Sequence, residues 1–234
     1  MTETHDVLWT PEKIAATWDF FSEHRAGTTW YFSSHAGRWI VKHVDRELGL
    51  RGKRILDFGC GRGDLLEHLF AKGIAAQGLE LSEESRLETT ARFAGQPLFG
   101  GVVARGDELG DASFDVVFLV EVIEHLLDDQ IAPVLAEVRR LLATGGAVVV
   151  TAPNAEDLSA ESVRCPDCGG VFHQFQHLRS LDPQSIAELF ESHGFRTEKA
   201  EGVYWGLTPW AVIRTWLRNP GRLPRPHLLY VGRA

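Results

Sequence analysis

With 234 residues and 44% hydrophobic content, the chain can bury one substantial core and is too short for two full-sized domains. A net charge of -8 disfavours broad attachment to nucleic acid, which draws on clustered lysine and arginine. No apolar run approaches the roughly eighteen residues of a membrane span, and the N-terminus lacks a basic stretch followed by an apolar one. Three cysteines, Cys60, Cys165 and Cys168, do not make a secreted disulfide framework, so a soluble chain in a reducing cytoplasm is expected.

In chain order, the spacing predicts helices over 11–24 and 34–48, an N-terminal helical cap spanning 1–50. This segment carries Trp18, Phe20, Phe21, Trp30, Tyr31, Phe32 and Trp39; most are expected in the core, and Tyr31 and Phe32 are candidates for a lid. From residue 54 strands and helices alternate: strands over 54–58, 75–81, 101–105, 114–120 and 146–151, and helices ending near 71 and 93 or covering 130–142 and 183–192. Strands over 197–204 and 227–232 close the chain. Short apolar strands alternating with helices imply an α/β fold with a doubly wound, mainly parallel sheet over 51–234.

Two insertions break the alternation, at 154–181 and 205–226. The second is rich in Trp and Arg and includes Pro220, Pro224 and Pro226, which suits a substrate cap at the ligand-binding edge of the sheet. From Trp210 onward Arg214, Arg218, Arg222, Arg225 and Arg233 occur without an acid. That tail reads either as a peripheral contact with an anionic substrate or membrane surface, or as a solvated face.

The run Ile55-Leu56-Asp57-Phe58-Gly59-Cys60-Gly61-Arg62-Gly63-Asp64 is an apolar strand that turns into a glycine-rich loop. The dinucleotide fingerprint G-x-G-x-x-G needs a third glycine at position 64, where this chain has Asp64, so the loop argues against NAD. Asp57 before Gly59-x-Gly61-x-Gly63, followed by Glu80 at the end of the next strand, resembles the first two motifs of class I S-adenosylmethionine (SAM) dependent methyltransferases. The resemblance covers roughly 54–195 and implies a Rossmann-like sheet with an antiparallel final strand. It also implies that Asp57 organises the methionine amine and that Glu80 accepts the ribose hydroxyls. Asp107, beside Glu108, would accept from the adenine amino group, with Cys60, Leu81 and Glu121 lining the cofactor. SAM offers an ammonium, a sulfonium and a diol, all of which carboxylates and an open glycine backbone can approach.

Beyond the fourth strand of the repeat, Glu121, Glu124 and His125 are spaced i, i+3 and i+4, which on a helical turn is one face. Such a face can hold a divalent cation or place His125 as a general base, with Glu124 beside it. The segment resembles the E-x-x-E-H stretch of ubiquinone-pathway O-methyltransferases and of small-RNA 2′-O-methyltransferases, and the matching later histidine is His177. The alternative is that both glutamates bond the local backbone and His125 caps the turn. A second constellation, Cys165-x2-Cys168-x4-His173-x3-His177, has the form of a zinc knuckle and competes for His177.

Together these residues are read as a SAM-dependent methyltransferase acting on a small-molecule or glycan-type acceptor, at a hydroxyl oxygen. His125, His177 and Glu124 are the candidates for removing the hydroxyl proton; N-methylation needs less base assistance. The rival readings are an RNA-end 2′-O-methyltransferase, against which the acidic charge counts, and a non-catalytic SAM-binding or zinc-mediated interaction protein.

Overall fold

The computed structural model of the chain describes residues 3–24, 31–206 and 225–234. Seven strands form the central sheet: β2 (Ile55–Phe58), β3 (Ala76–Leu79), β4 (Phe99–Val103), β5 (Phe114–Val120), β6 (Leu142–Pro153), β9 (Arg196–Val203) and β10 (His227–Arg233). Their order is β4-β3-β2-β5-β6-β10-β9. The first five are parallel, and β10 lies antiparallel to both β6 and β9. The chain order reverses beside β2, so β2 and β5 bracket the crevice where such sheets bind ligands.

The central strands are largely apolar on both sides because both faces are covered, with Asp57 the buried exception on β2. Ile55, Phe118, Val149 and Leu229 face one layer, with Ile40, Val41, Val44, Leu66 and Leu69 from helices. Their chain neighbours Leu56, Val117, Val148 and Leu228 face the other, with Leu135, Val138, Ile186 and Phe190. The first layer comes from α2 (Phe32–Leu48) and α3 (Asp64–Ala71), the second from α5 (Asp128–Leu141) and α6 (Pro183–Ser192), while α4 (Glu83–Arg92) joins β3 to β4. Helix α2 buries Ala36, Gly37, Ile40, Val41 and Val44 on one helical stripe. It ends at Gly49, whose left-handed backbone (φ 60°) lets its N–H reach the Asp45 carbonyl at 2.9 Å.

Two regions lie outside this sandwich. Helix α1 (Pro11–His24) spans the predicted first helix. The first insertion contains β7 (Ser162–Arg164) and β8 (Gly170–His173), an antiparallel hairpin. The N-terminal β1 (His5–Asp6) lies parallel to β8, giving a small sheet of order β1-β8-β7. These strands are too short for a periodic pattern, so the sequence shows only an insertion there. Most of the 205–226 insertion, with Trp210, Arg214, Arg218 and Arg222, lies outside the described residues. Within the described part Arg233 pairs with Glu198 at 2.9 Å. No helix among the described residues is long and apolar enough to cross a membrane.

Candidate functional site

The glycine-rich loop leaves β2 at the carboxyl edge of the sheet and enters α3. Gly59, Gly61 and Gly63 all have positive φ, at 78°, 49° and 79°. A Cβ on Gly59 would lie 2.9 Å from Val122, and one on Gly63 2.5 Å from Phe93, so both positions need glycine for space as well as for backbone angle. Gly61 instead has open space where a Cβ would sit, which leaves its backbone open to a ligand. Glu80, just beyond β3, accepts the Gly61 N–H at 2.9 Å and the Ser82 N–H at 2.8 Å. One carboxylate thus ties the loop to the neighbouring strand end while keeping further acceptor capacity on each oxygen.

Asp57 is buried on β2, and burial, with Glu80 and Asp64 nearby, pushes its carboxyl up to about 8. Such a carboxyl lacks a cation, which is what the ammonium of an amino-acid ligand supplies. Cys60 is buried against Gly78, where a Cβ would lie 2.6 Å from its sulfur, so it packs and its thiol is pushed up by burial. Leu81 is exposed at the end of β3. Asp107 is exposed and paired with Arg105, which holds its carboxyl below the usual range, and Glu108 accepts the backbone N–H groups of Ala104 and Arg105 at 3.0 and 2.9 Å. Those two acids are therefore engaged locally.

The carboxyl end of β5 carries the second cluster. Glu121 adopts a left-handed backbone (φ 53°) and accepts from Thr151 Oγ1 at 2.9 Å, so it leaves the strand rather than starting a helix. Only Ile123–His125 form a short 3-10 turn. The expected helical face of Glu121, Glu124 and His125 is thus replaced by a kink, and the third partner of Glu124 and His125 is His177 from the distant insertion. Donor atoms of Glu124, His125 and His177 all lie within 4.8 Å of one another.

Glu124 is 1% exposed, and neither carboxylate oxygen meets a donor from the protein. Burial and the facing Glu121 push its carboxyl well up, and burial raises Glu121 to about 7, so the pair retains protons near neutrality. Burial and the neighbouring His177 lower His125 to about 3, which keeps its imidazole neutral. His125 Nδ1 faces the Gln176 carbonyl at 3.3 Å and so donates to it, leaving Nε2 as a free lone pair 3.9 Å from Glu124. His177 Nδ1 lies 2.6 Å from the Glu156 carboxylate and donates there, which leaves its Nε2 free. Imidazoles held by a carbonyl or carboxylate on one nitrogen present the other to a metal or substrate.

Sequence reasoning missed three residues that build this cluster. Glu156 orients His177; its spacing to His177 carries no motif. Gln176, fully buried with φ 61°, donates to the His125 carbonyl at 3.0 Å and accepts from Trp18 Nε1 at 3.0 Å. Trp18 also sets its ring edge-on to His125, 4.8 Å between centroids, so α1 reaches the site. Tyr31 interacts electrostatically with Arg62 in the glycine loop, whereas the Phe32 ring lies 4.7 Å from that of His227.

The structure does not gather Cys165, Cys168, His173 and His177. His173 and His177 stack at 4.4 Å and share Glu156, whereas the cysteines precede β8. Among the described residues, the groups of three or more metal-type donors are Glu124, His125, His177 and Glu156, His173, His177. The spacing C-x4-H misleads because the intervening residues form an extended strand, roughly 3.3 Å per residue, rather than a compact knuckle. Backbone N–H groups of Cys168 and Asp167 point at the Cys165 thiol and lower its pKa.

The raised acids and lowered imidazoles predict how stability follows pH in the ligand-free protein. Asp57 and Glu121 bind protons more tightly folded than unfolded. Their stabilisation is complete below the unfolded carboxyl range and is lost as pH rises toward about 8 and about 7. His125 and His227, lowered to about 3 and about 4, act oppositely: their contribution is present above about 6.5 and lost as pH falls. The opposing slopes should leave the melting temperature nearly level between about pH 4.5 and 6.5, and above that, where only the carboxyl slopes remain, stability should drop by about 2–3 kcal/mol toward pH 8.5. Asp57→Asn should flatten the alkaline limb in a calorimetric pH series; an unchanged limb would refute the assignment to Asp57.

A family model described as a methyltransferase domain matches residues 32–200. A probable S-adenosylmethionine-dependent methyltransferase from Mycolicibacterium smegmatis is 34% identical over 175 residues, covering 72% of this chain and 63% of the relative. A ubiquinone biosynthesis O-methyltransferase from Psychrobacter cryohalolentis is 30% identical over 138 residues, covering 50% of this chain and 51% of the relative. The chain thus spans roughly half to two thirds of the length of these curated relatives. In fold it is similar to a Burkholderia thailandensis 1,6-didemethyltoxoflavin-N1-methyltransferase solved with S-adenosylhomocysteine, at TM-score 0.63 and 20% identity, covering 98% of this chain and 92% of that one. With the glycine loop, Glu80 and the strand order in place, the chain belongs to the class I SAM-dependent methyltransferase family.

Proposed function

We propose that the protein transfers the methyl group of SAM to a hydroxyl oxygen of a small-molecule or glycan-type acceptor. The observation that carries this reading is the convergence of donor atoms from Glu124, His125 and His177 beside the cofactor edge of the sheet. Methyl transfer from an activated sulfonium is mainly an alignment problem, and orientation contributes on the order of 7–11 kcal/mol. A hydroxyl acceptor additionally has to lose a proton.

The residues divide that work. Asp57 meets the ammonium of SAM, Glu80 the ribose hydroxyls, and Gly61 leaves its backbone clear. His125 is too weakly basic to store a proton and serves as a hydrogen-bond acceptor that orients the hydroxyl. His177, backed by Glu156, takes the proton, because the carboxylate stabilises the imidazolium that forms. Trp18 covers His125 and helps exclude water.

The orphaned oxygens of Glu124 also fit a divalent cation, held by Glu124, His125 and His177 with Glu121 adjoining. A bound cation would supply Lewis acidity that lowers the pKa of the acceptor hydroxyl.

The test is a methyl-transfer screen with SAM carrying a 13C methyl group, against phenols, catechols, enols and sugars, with and without magnesium or manganese. Carbon chemical shifts of the product identify the methylated atom. Methyl ethers, lost in His177→Ala, are expected. Exclusive N-methyl or C-methyl products would overturn the reading.

A further inference from the structure

The hairpin that carries Cys165 and Cys168 has a second neighbour that the sequence spacing concealed. Strand β1 lies alongside β8 with His5 opposite Gly170, and the His5 N–H reaches the Gly169 carbonyl at 3.3 Å. A Cβ built on Gly170 would lie 3.4 Å from Cys168 Sγ and 3.7 Å from His5 Nε2, so thiol and imidazole flank the same small space. Gly169, at φ 80°, has the Glu3 carbonyl 2.3 Å from where its Cβ would be. The two glycines after Cys168 therefore do two things. They turn the backbone under the sulfurs, and they let the N-terminal segment close over them.

The turn is built for thiolates. Gly170 donates its N–H to Cys168 Sγ at 3.4 Å. Gly169 N–H closes the turn on the Cys165 carbonyl at 3.0 Å, and Cys165 N–H on the Gly170 carbonyl at 2.8 Å. Two cysteines with two residues between them, held on a tight turn, have the ligand spacing of zinc sites. His173, by contrast, accepts the backbone N–H groups of Phe175 and His177 on Nδ1, at 3.4 and 3.2 Å. Its proton is thereby fixed on Nε2, which makes only a long contact, 3.5 Å, with Glu156. A nitrogen that keeps its proton has no lone pair for a metal.

We propose that Cys165, Cys168 and His5 bind one zinc ion, with water in the fourth position. Two soft thiolates and a neutral imidazole match zinc over magnesium. The His5 side chain is exposed, so it can turn onto the ion; without metal the three donors do not converge within 4.8 Å. The consequence reaches the active site through a short chain link. Zinc fixes β1, four residues later α1 begins, and α1 carries Trp18 onto Gln176 and His125. The metal would thus hold the N-terminal cover in place while taking no part in methyl transfer.

The experiment is metal analysis of the full chain, purified without chelator, with competition against a chromogenic zinc chelator and cobalt substitution followed by absorbance. One zinc per chain and a thiolate-to-cobalt band are expected, both abolished in Cys168→Ser. His5→Ala should release zinc at least tenfold more readily, and His173→Ala should release it as wild type does. Hydrogen exchange at His5 and Val7 amides should accelerate on zinc removal. Absence of zinc and of the cobalt band in wild type, or zinc lost in His173→Ala and kept in His5→Ala, would overturn the proposal. Calorimetry of SAM on the same samples reports separately on the cofactor site.

Discussion

Glu80→Ala should weaken SAM binding about 100-fold, equivalent to about 3 kcal/mol. Two losses combine. The ribose hydroxyls lose a charged acceptor, and hydrogen bonds to charged groups are each worth about 1.5–3 kcal/mol. The N–H groups of Gly61 and Ser82 also lose their shared partner, which frees a loop whose glycines already carry the entropy of unusual backbone angles. Glu80→Gln keeps one carbonyl oxygen and the side-chain length, so a loss of about tenfold is expected. Asp107→Ala should change affinity by less than about threefold, because Asp107 is exposed and paired with Arg105. Isothermal titration calorimetry of the three variants measures all of this; unchanged affinity in Glu80→Ala would remove Glu80 from the cofactor site.

Glu124→Gln should make the protein more stable and less active at once. The buried carboxyl has no donor among its neighbours and faces Glu121, so it is retained at a cost in folding free energy. Glutamine is neutral without having to take up a proton on folding, so the substitution should add about 1–3 kcal/mol, or roughly 2–10 °C in melting temperature for a chain of this size. Turnover should fall about 10²- to 10⁴-fold, the usual range for losing a group that handles a proton or a metal. SAM affinity should not move if Glu124 acts on the acceptor as proposed. Differential scanning calorimetry and single-turnover assays check the pair of effects. A destabilised variant with wild-type turnover would mean that Glu124 serves packing alone.

The central sheet and the cofactor loop are legible in the order of residues, because both are local. Strands such as β5 and β6 are apolar at successive positions, α2 shows its buried stripe, and Asp57, Gly59, Gly61, Gly63 and Glu80 sit within one strand-loop-helix-strand unit. The cluster of Glu124, His125 and His177 is assembled by long-range folding. Glu124 and His125 are joined by His177 from an insertion some fifty residues later; its chain neighbour Gln176 and the more distant Glu156 fix the ring nitrogens, and Trp18 from α1 covers His125. Tautomers and orphaned oxygens depend on such long-range partners, which no spacing rule encodes. The cysteine pair makes the same point in reverse: its spacing pointed forward along the chain to His173, and the strand β8 carries that histidine away. The fold instead returns His5 from the N-terminus, because parallel pairing of β1 with β8 is a contact between chain segments far apart in sequence.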